Sequence, residues 1–200
     1  MTKVRWGIIG PGHIANSFAD GLKESYSGEL VSIASITDER RKSFGDKYNI
    51  DNSLRFDNYD EILNCSTVDA IYISLPHNLH SVWSKEAGSK GKHVLCEKPF
   101  CVNHAQAIQT LHAFQENIFF MEGFMYRCHP QIEKLISLIQ SEIIGEVYSI
   151  QSTFGFKAEF DSESRLFNPD LAGGAILDVG LYPISFSRLI AGTANGGWTE

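Results

Sequence analysis

Val4–Ala15, VRWGIIGPGHIA, is the stretch from which the fold is read. An apolar run, VRWGII, predicts a short strand; Gly10-Pro11-Gly12 predicts a turn; a helical pattern begins at His13. The spacing of Gly10, Gly12 and Ala15 is G-x-G-x-x-A, and each position has a physical reason. Gly10 permits the tight turn, Gly12 lets an anionic group approach the backbone, and Ala15 lets the helix pack on the strand. The first helical residues, His13 and Ile14, offer unpaired N–H groups and the positive end of a helix dipole to a phosphate. The alternative is an ordinary strand-to-helix turn with no ligand; the strand before it and the helix after it favour dinucleotide binding.

Outward from this stretch the first half alternates. Helical patterns are expected at Ile14–Lys23, Glu39–Tyr48 (capped by Thr37 or Asp38), Tyr59–Leu63 (capped by Asp57), Asn78–Gly88, and from the cap Asn103 to about Gln115. Strands are expected at Leu30–Ile36, Ala70–Leu75, His93–Cys96 and Ile118–Met121. Apolar runs alternating with helices predict a doubly wound parallel sheet covered on both faces. The α/β dinucleotide-binding domain is expected to span residues 1–123, and residues 124–200 to begin a second, α+β domain. In that domain a helix is expected at Pro130–Leu138, a half-exposed antiparallel strand at Glu146–Phe156, and a helix over Ala172–Ile190. The closing AGTANGGWTE completes no element, so the sequence is expected to stop inside its second domain.

Composition sets limits. With 43% hydrophobic and 20% charged residues the chain suits a globular protein, and a formal net charge of -7 argues against a nucleic-acid or anionic-membrane partner. The cysteines Cys65, Cys96, Cys101 and Cys128 form no C-x-x-C pair or zinc spacing, so reduced, mostly buried thiols and no metal are expected. No signal-peptide pattern and no uncharged run of membrane-spanning length occurs, which makes cytoplasmic the expected location.

In an open parallel sheet ligands bind beyond the carboxyl ends of the strands. After the second strand, no acid stands on the strand about 20 residues past the glycines, where a ribose 2′-OH of NAD would be held. Ser35 and Thr37, with Arg40 or Arg41, can instead meet a 2′-phosphate, which favours NADP over NAD; the alternative makes Asp38 a helix cap and both arginines solvated. Leu75-Pro76 ends the third strand, and His77 or His80 either faces the cleft or serves structure. After the fourth strand, Lys98 in CEKPF can donate to ribose and substrate oxygens and favour an ionised phenol nearby, or it can be a surface Lys-Pro turn. Asp178 and Tyr182 stand four apart in GGAILDVGLY, a spacing that suits proton transfer on one helix face or a cap and a boundary aromatic.

Taken together, GIIGPGHIA, GKHVLCEKPF, EGFMYRCHP and GGAILDVGLYP resemble the Gfo/Idh/MocA oxidoreductase family, nearest to its dihydrodiol and NADP-dependent sugar dehydrogenases. The resemblance implies a Rossmann domain, then a substrate and dimerisation domain with an open, mostly antiparallel sheet through which full-length relatives form homo-oligomers. It implies hydride transfer between NADP or NAD and a sugar or vicinal diol. Lys98 matches the family's EKP lysine and Glu97 its neighbour near the cofactor. Tyr182 and Asp178 match catalytic positions, and Arg127 falls in a string near the domain junction and the substrate. Ile36 stands where many members of this branch carry Arg. The rival expectation is a non-catalytic dinucleotide sensor on the same fold.

Overall fold

A computed structural model describes residues 2–197. It divides into two compact units, Met1–Gly123 and Phe124–Glu200.

In the first unit the elements run β1 (Val4–Ile9), α1 (His13–Lys23), β2 (Gly28–Ala34), α2 (Asp38–Lys47), β3 (Arg55–Phe56), α3 (Tyr59–Asn64), β4 (Ala70–Ile73), α4 (His77–Ser89), β5 (His93–Glu97), α5 (His104–Leu111) and β6 (Phe120–Gly123). The strands form one six-stranded sheet in the order β3-β2-β1-β4-β5-β6, with every pairing parallel. Strand order reverses between β1 and β4, so the crevice for a ligand opens beyond Ile9 and Ile73.

Side chains alternate between two apolar layers, as a strand period of two requires. Ile8, Ile33 and Tyr72 join Ala15, Ala19 and Phe44 under α1 and α2. Ile9, Ala34, Ile71 and Ile73 join Tyr59, Ile62, Leu63 and Ala87 under α3 and α4. Burial on both faces is why these strands read as unbroken apolar runs.

Several boundaries differ from the sequence reading. Strand β2 ends at Ala34 rather than Ile36, because Ile36 is 75% exposed beyond the sheet. Asn58, not Asp57, caps α3: its side chain accepts from the Glu61 N–H at 3.0 Å. Helix α5 ends at Leu111, short of Gln115. The two-residue β3 exists only through its pairing with Ile33 and Ala34, which no local pattern reveals.

The second unit contains a 3-10 turn (Met125–Cys128), α6 (Pro130–Gln140), a further 3-10 turn (Pro169–Leu171), a π-helical turn (Ile176–Gly180) and α7 (Leu181–Ala194), with α6 packed on α7. His129 caps α6 by accepting from Gln131 N–H at 3.1 Å. The strand expected at Glu146–Phe156 is not formed among the described residues: this segment has no ladder partner, and a strand is defined by one. The expected antiparallel sheet is accordingly not seen in the described residues. By length and composition alone, Pro169–Ala194, with mean hydropathy 1.2, is apolar enough to cross a membrane. It carries Asp170, Asp178 and Arg188 and passes through a left-handed residue, Ala172, at φ 57°. Residues 198–200 of the closing stretch lie outside the described residues. The expectation of mostly buried thiols is corrected: Cys96 is buried, Cys65 and Cys101 are half-buried, and Cys128 is exposed.

Candidate active site

The glycine turn is sewn to its neighbours. Gly10 N–H donates to Ala34 O at 3.2 Å, Ser74 N–H donates to Ile9 O at 3.0 Å, and the Ser74 hydroxyl donates to Gly10 O at 2.7 Å. Gly10 has φ +90°, and a Cβ there would lie 2.8 Å from Leu75 Cδ2 and 3.0 Å from Ser74 O, so this position excludes a side chain on the fold's account. Gly12 differs. Its φ of -89° is open to any residue, and a Cβ there would meet nothing within 4 Å. The space in front of Gly12 is left clear beside an α1 N-terminus that no side chain caps. His13 and Ile14 are exposed at the start of that helix. This cradle fits the pyrophosphate of a dinucleotide, which needs close backbone approach and unpaired N–H donors.

Beside the cradle lies a cavity of about 290 Å³ lined by Pro11, Asn16, Glu39, Arg40, Ser43, Phe44 and Lys47. Sequence reasoning left Arg40 and Arg41 as alternatives; here Arg41 donates to Ser35 O at 2.8 Å and pairs with Asp38, so it staples the β2–α2 turn, while Arg40 lines the cavity. Lys47 was missed. It donates to Asn16 Oδ1 at 2.7 Å, and Asn16 in turn donates to Gly12 O at 2.9 Å, linking the cavity wall to the turn. A lysine at the far end of a polar helix leaves no local signal. Ser35 is buried at 4% exposure, and its hydroxyl accepts from Thr37 N–H at 3.2 Å, so its first task is to shape this turn. Thr37 is exposed as the N-cap of α2 and makes no side-chain cap bond.

At the ends of β4 and β5, Leu75, Pro76, Glu97 and Lys98 are half-buried. Pro76 is the N-cap of α4. Glu97 Oε1 accepts from the Tyr72 hydroxyl at 2.6 Å. His77 is buried. His80 is corrected from a cofactor-facing residue to an internal one: it is 1% exposed, with Nδ1 2.7 Å from Pro99 O and Nε2 2.7 Å from Leu75 O. Its backbone partners place it between the two turns instead of in the cleft. Burial holds its imidazole down at about 4, against the pull of these carbonyl contacts. Glu122, which sequence reasoning passed over, accepts from Phe100 N–H at 2.9 Å. Burial raises its carboxyl above the ordinary range, and Phe100 N–H opposes that rise.

In the second unit, Asp178 sits in the π-helical turn, 5% exposed, and accepts from Arg165 Nη1 at 3.1 Å. Tyr182 lies in the first turn of α7 among aromatic rings, with Phe154 at 5.1 Å and Phe124 at 5.7 Å between centroids. Arg127 is half-buried in the 3-10 turn before α6. The widened turn Ile176–Gly180 replaces the regular helix that the four-residue spacing predicts; such π turns are frequent at functional positions. Each unit thus gathers part of the expected set: Lys98 with the glycine cradle's sheet in one, Asp178, Tyr182 and Arg127 in the other. No three His, Cys, Asp or Glu side chains among the described residues form a group able to hold a metal ion.

Comparison with known proteins matches these parts. Residues 4–122 fit the model of the Gfo/Idh/MocA oxidoreductase family with an NAD-binding Rossmann fold, and residues 132–195 fit a Gfo/Idh/MocA C-terminal domain. The chain is 35% identical over 192 residues to a D-xylose 1-dehydrogenase (NADP(+)) of Haloferax volcanii, covering 94% of this chain and 57% of that protein. It is 31% identical over 189 residues to a trans-1,2-dihydrobenzene-1,2-diol dehydrogenase of Xenopus tropicalis, covering 93% of this chain and 56% of that one. Among solved structures it is similar to a 3-ketoreductase from Actinomadura kijaniata in complex with NADP and TDP-benzene, with TM-score 0.80, 30% identity, and coverage of 95% of this chain and 58% of that one. The chain therefore spans little more than half the length of the curated relatives it matches. From the glycine cradle, the parallel sheet and these matches, the chain belongs to the Gfo/Idh/MocA oxidoreductase family.

Proposed function

We propose that the chain is the NADP-binding domain, residues 1–123, and part of the substrate domain, residues 124–200, of an oxidoreductase acting on a CH–OH group of a sugar or vicinal diol. NAD is the second-choice cofactor. The observation that carries this reading is Gly12: packing makes no demand for glycine there, whereas an approaching pyrophosphate does. Arg40, Ser43 and Lys47 in the adjoining cavity, and the NADP-dependent names of the relatives, support the 2′-phosphorylated cofactor. When bound, the nicotinamide supplies the carbon that accepts or returns the hydride.

The chain's own groups handle the proton and the orientation. Tyr182 takes the proton from the reacting hydroxyl as general base, and Lys98 donates to the substrate oxygen. Asp178, kept in place by Arg165, orients the substrate, and Arg127 adds a cationic hydrogen-bond donor for its hydroxyls. We also propose that Glu146–Phe156 serves as a strand of an open, mostly antiparallel sheet through which the protein self-associates. Exposed Tyr148, Phe154 and Phe156 in that alternating segment support this.

A nicotinamide-fluorescence titration with NADPH and NADH, followed by a panel of aldoses and vicinal diols, tests the reading. Tyr182→Phe should lower turnover by about 10²–10⁴ while leaving NADPH affinity unchanged. Tight NADPH binding without redox change on any member of the panel would instead support the sensor.

A further inference from the structure

Pro99 has no N–H, so in the turn that carries Lys98 the next peptide group with both a donor and an acceptor is Pro99 C=O to Phe100 N–H. Two buried or half-buried ionisable side chains meet that one group. Glu122 Oε1 accepts from its N–H at 2.9 Å, and His80 Nδ1 lies 2.7 Å from its oxygen. The two arrive from opposite neighbours: Glu122 from β6, directly beside Cys96 in register, and His80 from one turn inside α4. The second ring nitrogen of His80 lies 2.7 Å from Leu75 O, at the end of the adjacent strand.

We infer that Glu122 and His80 are positioning residues for Lys98, gripping the Pro99–Phe100 peptide from its N–H and its oxygen. The value of that grip to the reaction rests on the proposed function; the grip itself does not. A neutral imidazole has one N–H, so only one of its two carbonyl contacts is a hydrogen bond. A carboxylate on the N–H end polarises the peptide and makes the Pro99 oxygen the stronger acceptor. The ring proton therefore sits on Nδ1, pointing at Pro99, and Nε2 faces Leu75. Glu122 thus sets the tautomer of a histidine it does not touch, through the peptide that fixes the lysine's backbone.

The test uses the whole chain with isotopically labelled histidine. Long-range proton–nitrogen spectra near neutral pH should show His80 protonated at Nδ1. In Glu122→Ala the proton should shift toward Nε2, and acylation of Lys98, followed by peptide mass spectrometry, should change in rate by about threefold or more, the scale of one lost hydrogen bond. Glu122→Gln keeps an acceptor for Phe100 N–H and should restore most of both readouts. Circular dichroism checks that the variants fold; if Glu122→Ala does not, the Gln variant and the parent tautomer decide. A parent ring protonated at Nε2, or a folded Glu122→Ala with unchanged tautomer and unchanged Lys98 reactivity, overturns the inference. NADPH titration of the parent runs alongside. Failure to bind NADPH removes the proposed function and leaves the tautomer result standing, whereas NADPH binding with an indifferent tautomer removes the grip alone.

Discussion

The Tyr72 hydroxyl donates a 2.6 Å hydrogen bond to Glu97 from a ring that is 2% exposed and stacked on Phe18 at 4.1 Å between centroids. Tyr72 pairs with Leu95 across the β4–β5 ladder, so Glu97, two residues on, lies on the same face of β5 and within diagonal reach. A buried phenol thereby ties the apolar layer under α1 to a carboxylate at the end of the sheet where ligands bind. Tyr72→Phe keeps the ring and removes the bond. It should cost on the order of 1–3 kcal/mol, the range for a charge-assisted bond, read as a lower urea midpoint at unchanged slope.

The two motif glycines should separate on substitution. Gly10→Ala forces a side chain into φ +90° and against backbone atoms of Ser74, so it should destabilise by about 1–3 kcal/mol. Gly12→Ala should leave the unfolding midpoint within about 0.5 kcal/mol of the parent. Its NADPH affinity, by fluorescence, should nonetheless fall about tenfold or more, as 1.4 kcal/mol of lost approach implies. Equal NADPH affinity in Gly12→Ala and parent would contradict the cradle.

His80 should leave a signature in the pH dependence of stability. Its folded value is about 4, with burial the leading cause and His77 and Lys98 acting the same way, against an ordinary value of about 6.5. Between those values the unfolded chain binds a proton that the folded chain refuses, so stability rises with pH through this window. The slope is at most about 1.4 kcal/mol per pH unit from this one group. His80→Gln should flatten the urea midpoint across that window; an undiminished slope would assign the effect elsewhere.

Asp69 acts at lower pH. Arg5 reaches it through its backbone N–H at 2.9 Å, Nε at 3.0 Å and Nη2 at 2.6 Å, and these bonds hold its carboxyl at about 2. A carboxyl lowered on folding adds stability above its unfolded value of about 3.9, and that gain fades as pH falls toward 2. The pair is more than a third exposed, so solvent screening keeps the contribution near 1 kcal/mol. Asp69→Asn should lower the midpoint at neutral pH and match the parent near pH 2, in parallel denaturation series.

Particular residues show where the chain could be read directly. Asn103 was legible as a cap, and its side chain does accept from Gln106 N–H at 2.9 Å, because a cap bond closes within three residues. Asp57 reads as the cap of α3 where Asn58 holds it, since both are good caps and only the realised dihedral angles choose. Lys47, 31 residues from its partner Asn16, carried no local mark, and Glu122 opens EGFMYRCHP without any sign of its bond to Phe100, 22 residues away.

What the sequence by itself determined was the glycine turn, the alternation of apolar runs and helices, and hence the parallel sheet, because these depend on backbone freedom and on periodicities of two and 3.6 residues. Only tertiary structure decided which arginine lines the cavity, that His80 turns inward, and that a peptide beside Lys98 is held from both ends. The last two outcomes hang on contacts 19 and 22 residues apart in the chain, which arise only when the sheet brings its carboxyl edges together; the first hangs on Arg41 folding back to Ser35 across the β2–α2 turn.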